Sequence, residues 1–122
     1  MARILVIDDD QLIREMIALT LGKAGHTVDQ AKQGDDGLAA FRAHPADLII
    51  TDMAMPGMDG VQLIQRLLKE HPKLPIIAMS GAPDSAQFLY LASYLGAGRL
   101  LTKPFGTEAL RLAVDEVLKP ST

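Results

Sequence analysis

Short aliphatic runs that stop at polar side chains limit this chain to few folds. Ile4-Leu5-Val6-Ile7 stops at Asp8, Leu48-Ile49-Ile50-Thr51 stops at Asp52, and Leu74 to Met79 stops at Ser80. A strand with one wet face alternates apolar with polar residues, whereas a run without alternation is covered on both faces. Between these runs the period changes. Ile13, Met16, Ile17, Thr20, Leu21 and Ala24 recur at helical spacing, with Gly22 and Gly25 marking the end. A weaker strand follows over Thr27 to Ala31, and Gly34, Asp35 and Asp36 open a second helix with Leu38 and Phe41 inward.

The pattern repeats to the end of the chain. Asp59 with Gln62 forms a capping signature for a third helix, expected to bury Val61, Ile64, Leu67 and Leu68. Asp84 with Gln87 opens a fourth helix carrying Phe88, Leu91, Ala92 and Leu95. Arg99 to Thr102 is a short fifth strand. After Lys103-Pro104, a fifth helix carries Leu110, Ala113, Val114, Val117 and Leu118 on one face. Five βα units with right-handed crossovers predict an α/β fold: a doubly wound, five-stranded parallel sheet in a three-layer α/β/α sandwich.

The 122 residues, 48% of them apolar, suffice for one compact domain over 1–122, with Pro120-Ser121-Thr122 as a loose tail. A net charge of -3 and no Lys/Arg run argue against direct nucleic-acid binding. The chain has no cysteine, which excludes disulfides, thiolate metal sites and cysteine nucleophiles and suits a reducing cytoplasm. Ile4 to Ile7 is too short for a signal peptide, and no stretch approaches the ~18 apolar residues of a membrane span. The expectation is a soluble cytoplasmic protein.

In such folds ligands bind beyond the carboxyl ends of the strands. Those ends carry Asp8-Asp9-Asp10, Asp52, Ser80 and Lys103. Crowded carboxylates repel one another unless a cation intervenes. Oxygen ligands without His or Cys favour a hard ion such as magnesium, which is held by carboxylates, a carbonyl and a substrate phosphate oxygen. An aspartate can then act as nucleophile and form an aspartyl-phosphate, with metal and lysine neutralising the transferring group and the serine hydroxyl hydrogen-bonding it. Each residue also has a plainer role. Asp10 could cap the first helix, Asp52 and Ser80 could be turn residues, and Lys103 could be a solvated surface lysine. Their joint placement at strand ends favours the chemical reading.

These residues resemble the receiver domain of two-component response regulators (CheY-like). The anchors are Ile4 to Asp10, Leu48 to Gly60, Met79-Ser80-Gly81 and Lys103-Pro104-Phe105, in order on matching elements. The resemblance implies the flavodoxin-like strand order 2-1-3-4-5, and it implies the roles that follow. Asp52 is the phosphate acceptor. Asp8 and Asp9 organise Mg2+ (with Mn2+ as a substitute), Asp9 more directly, and the Ala54 backbone carbonyl is a further ligand. Ser80 contacts the phosphoryl group, Lys103 bonds the acceptor or phosphoryl oxygen, and the Lys103-Pro104 bond is cis. The donor is a histidine kinase or a histidine phosphotransfer protein. The domain is a signalling phosphoacceptor rather than an enzyme, although it catalyses its own phosphorylation and slow dephosphorylation.

Two positions depart from the family pattern. Leu100 stands where an aromatic switch residue is usual, so a ring cannot swing there, and Gly106 replaces the polar cap of the fifth helix. On the fourth helix Leu89, Tyr90 and Tyr94 fall off the apolar stripe. This suggests a face of fourth helix, fifth strand and fifth helix that binds a downstream target or a second copy. Among the alternatives, Asp8-Asp9-Asp10 also fits a haloacid-dehalogenase-like phosphatase. That family needs a later acidic pair at a strand end, and Asp115 and Glu116 fall within the fifth helix. A receiver-shaped module that only mediates interaction would not need the full set of acids, hydroxyl and lysine. A flavin protein of the same fold would meet repulsion between three aspartates and the flavin phosphate.

Overall fold

The structure is a computed structural model that describes residues 1–53, 60–81, 90 and 96–119. Its elements are β1 (Arg3–Ile7), α1 (Gln11–Lys23), β2 (Thr27–Ala31), α2 (Gly34–Ala43), β3 (Leu48–Asp52), α3 (Gly60–Glu70), β4 (Ile76–Ser80), β5 (Arg99–Thr102) and α4 (Thr107–Leu118). The last helix is the fifth of the sequence reading. The expected fourth helix, the cap at Asp59, the loop from Ala54 and the tail at 120–122 lie outside the described residues. Tyr90, which is helical, is the exception.

The five strands are all parallel and run in the order β2-β1-β3-β4-β5. Successive side chains on a strand point to opposite faces, and the core divides accordingly. Leu5, Ile7, Ile49, Ile76 and Ala78 face Leu38, Phe41, Leu63, Ile64 and Leu67 of α2 and α3. Ile4, Val6, Leu48, Ile50, Ile77 and Met79 face Ile17, Leu21, Leu110, Ala113 and Val114 of α1 and α4. This double burial explains the unbroken runs. β3 and β4 are buried at every residue, whereas edge strand β2 has one buried residue, Ala31, and reads weakly in the sequence.

The helices correct several inward assignments. In α3 the fully buried residues include Leu63, which the capping pattern passed over, while Val61 and Leu68 only pack against the cluster edge. Ala24 is exposed as the C-cap of α1, and Gly25 follows with φ of +98°, a left-handed conformation that ends the helix. Val117 and Leu118 are half-buried. Gly37 lets α2 approach the sheet closely, since a Cβ there would lie 2.5 Å from Ile7 Cδ1. Among the described residues no helix is long and apolar enough to cross a membrane.

Candidate functional site

The strand register brings the polar residues together. Ile7 pairs with Thr51, so Asp8 and Asp52 follow on neighbouring strands, and Asp52 pairs with Met79, one residue before Ser80. Ser80 pairs with Thr102, and the Lys103 amide donates to the Ser80 carbonyl at 2.9 Å. One carboxylate oxygen each from Asp8, Asp9 and Asp52 lies within 4.8 Å of the others.

Their environments differ. Asp8 is fully buried, and both of its carboxylate oxygens are used: Oδ1 accepts from the Asp10 amide at 2.8 Å and Oδ2 from Lys103 Nζ at 2.6 Å. Asp52 is 5% exposed and lies 3.5 Å from the same ammonium. Asp9 is exposed. Asp10 stands apart from the cluster: its side chain accepts from the Leu12 amide at 2.9 Å and caps α1. Of its two readings, the structure supports the cap.

Lys103 is aimed into the acids. Gly81 makes room for it, since a Cβ there would lie 2.7 Å from Lys103 Cβ. The Lys103-Pro104 bond is cis. Burial works against the Lys103 ammonium, but its hydrogen bond to Asp8 and the charges of Asp52 and Asp8 outweigh that cost and hold its pKa above the ordinary value.

The buried Ser80 hydroxyl has no hydrogen-bond partner among the described residues. Buried polar atoms are rarely left so, and the hydroxyl has its hydrogen-bonding capacity unspent among the described residues. The acids pose a matching problem. Carboxylate oxygens within 4.8 Å of one another repel by about 3 kcal/mol or more at an effective dielectric constant of about 20. Three carboxylates against one ammonium leave the rim negative, and the donors are all oxygen. That chemistry fits a hard divalent cation such as Mg2+, held by Asp8, Asp9 and Asp52.

Other expected residues fall elsewhere or out of view. Leu100 is half-buried on β5, pairs with Ala78 and packs on the α2–α3 side of the sheet. Tyr90 is 71% exposed. Tyr94 and Ala54 lie outside the described residues. Gly106 is the N-cap of α4 and makes no side-chain capping bond. The sequence reading missed Arg14, which is 8% exposed and donates from Nη1 to the Asp8 carbonyl at 2.7 Å. A signal existed: Arg14, Ile17 and Leu21 share one helical stripe, so periodicity alone points this cation inward.

Known proteins share both the sequence pattern and the fold. The response regulator receiver domain model matches residues 4–115. The transcriptional regulatory protein GlrR of Escherichia coli (strain K12) is 34% identical over 120 residues, 98% of this chain and 27% of its own. The chain spans about a quarter to a half of the length of the curated relatives it matches. The receiver domain of NtrX from Brucella abortus superposes with a TM-score of 0.91 at 32% identity, over 97% of this chain and 99% of that one. The chemotaxis response regulator CheY4 of Vibrio cholerae does so with a TM-score of 0.88 at 32% identity, over 97% and 99%. With a sheet order and a sequence pattern that both match, this chain belongs to the receiver domains of two-component response regulators.

Proposed function

We propose that this domain accepts a phosphoryl group on Asp52 in a Mg2+-dependent reaction and that the modified form changes its binding to a downstream partner. The observation that carries this reading is the convergence of the Asp8, Asp9 and Asp52 carboxylates with Lys103 Nζ at one sheet edge. The donor is a phosphohistidine on a histidine kinase or a histidine phosphotransfer protein, which places the domain in the cytoplasm.

The step is an exchange of bonds at phosphorus. An Asp52 carboxylate oxygen attacks, the new O–P bond forms as the donor's N–P bond breaks, and the imidazole leaves with its electron pair and takes a proton from solvent. Lys103, already 3.5 Å from Asp52, donates to a phosphoryl oxygen, and the Ser80 hydroxyl, partnerless among the described residues, donates to another. Asp8 keeps Lys103 charged and in place. Asp8, Asp9 and Asp52 would hold the metal, with the Ala54 carbonyl as the further ligand that the family resemblance implies, and a bound ion would supply positive charge to the crowded oxygens. Because Asp52 itself carries the product, the domain is a phosphoacceptor with slow self-dephosphorylation rather than a turnover enzyme. The whole of 1–122 acts as one receiver unit, and its output passes through the face of the fourth helix, the fifth strand and the fifth helix, where Tyr90 is exposed. The phosphatase alternative gains no support from the family match.

Incubation with acetyl phosphate and Mg2+, followed by intact-mass spectrometry, tests the reading. The expected result is a single added phosphoryl group that is absent in Asp52→Asn. An equal level of phosphorylation in that variant would remove Asp52 as acceptor.

A further inference from the structure

We infer that Arg14 is a positioning residue for the acid pair: its buried guanidinium holds the turn between β1 and α1 by the backbone and so sets where the Asp8 and Asp9 carboxylates stand. The inference rests on the proposed reading of those acids as a Mg2+ site.

Arg14 is costly where it is. Arginine is almost never buried unless paired, yet among the described residues no carboxylate lies within ion-pair distance of it. Its hydrogen bond is to the Asp8 carbonyl, six residues back along the chain. That carbonyl is a strategic acceptor. The parallel ladder ends there, with the Asp8 amide donating to the Ala31 carbonyl at 3.1 Å. The Asp8 side chain bonds the Asp10 amide and Lys103, and neither partner lies in α1. Asp10 binds the turn to the first helical residues through Leu12. Arg14 provides the direct tie from α1 back to the strand end. A long, flat guanidinium can reach from the helix to that carbonyl and remain charged there, and its charge stands behind three acids whose mutual repulsion would otherwise push the turn open.

Outer partners that orient metal ligands typically matter to affinity by about tenfold or more. Arg14→Met keeps the stem and removes donor and charge, and Arg14→Lys keeps the charge on a single ammonium. Two measurements on the full chain separate the possibilities: Mg2+ affinity by titration calorimetry, and hydrogen exchange of the Asp10 amide without metal, referred to β4 amides. We expect Arg14→Met to bind Mg2+ about tenfold more weakly and to exchange the Asp10 amide faster with β4 unchanged, and Arg14→Lys to fall between it and wild type. Wild-type affinity and wild-type Asp10 exchange in a folded Arg14→Met would overturn the inference. If that variant does not fold, Arg14→Lys decides: weaker Mg2+ binding with faster Asp10 exchange supports the role, and wild-type values on both refute it. A wild-type chain that binds no Mg2+ defeats the metal reading instead, and the Asp10 amide then decides the positioning role alone.

Discussion

Lys103 Nζ lies 2.6 Å from Asp8 Oδ2, and the two residues are 95 positions apart in the chain. This ion pair joins the ends of β1 and β5 across the edge of the sheet. It also explains why the acids are unequal. Asp8 is buried and paired, whereas the Asp9 side chain makes no ion pair among the described residues.

That inequality gives opposite effects in one variant. Asp9→Asn should raise the stability of the metal-free protein, by up to about 1 kcal/mol, because it relieves repulsion without breaking an ion pair. It should also remove most of the extra stability that Mg2+ confers on wild type. Urea unfolding with and without Mg2+ reads both. A variant less stable than wild type without metal would show that repulsion at this rim is not the governing term.

The raised pKa of Lys103 gives a signed pH dependence. The ordinary lysine value is 10.5, and the folded value lies above it. The pair therefore contributes fully below about pH 10.5 and is lost as pH climbs through the folded value. Wild type should exceed Lys103→Met in stability at neutral pH, and the gap should narrow only in strongly alkaline solution. A gap that closes between pH 6 and pH 9 would show that another group governs it.

Two glycines should respond in opposite directions to alanine. A Cβ at Gly60 would lie 2.6 Å from Met53 Cα and 2.7 Å from the Asp52 carbonyl, both backbone atoms that cannot rotate away. Gly60→Ala should cost about 1–3 kcal/mol and slow phosphorylation by shifting Asp52. Gly22, in α1, has nothing within 4 Å of such a Cβ, and Gly22→Ala should stabilise by about 0.5–1 kcal/mol. Thermal or urea unfolding of both variants gives the comparison.

Ser80→Ala should separate folding from function. The hydroxyl is buried with no hydrogen-bond partner among the described residues, so removing it should change stability by less than about 0.5 kcal/mol or raise it. The same change should lower the yield of phosphorylated protein from acetyl phosphate severalfold. Unfolding curves and phosphorylation time courses on one preparation test both halves.

Much of this was legible in the sequence, because β1, β3 and β4 are buried on both faces and their continuous apolar runs can hardly mean anything else. The strand ends are the natural place for chemistry, and Asp8, Asp9, Asp52 and Lys103 do meet there. What escaped was a matter of which helix face packs inward, and only for Arg14 did the residue pattern point there. In α3 the buried stripe is Gly60, Leu63, Ile64 and Leu67, so Leu63 rather than Val61 turns inward. Leu12, Leu19 and Leu112 are exposed although apolar, and Arg14 is buried although charged. Asp10 is indistinguishable from Asp9 by residue type, and only its bond to the Leu12 amide reveals a cap.

In the proposed reaction the carboxylate of Asp52 carries the phosphoryl group. Borohydride reduces an acyl phosphate to an alcohol, which leaves homoserine where the modified aspartate stood. After treatment with acetyl phosphate and Mg2+, reduction and peptide sequencing should find homoserine at position 52 and at no other aspartate. Homoserine at position 8 or 9, or none at all in a preparation that has gained a phosphoryl group, would show that Asp52 is not the acceptor.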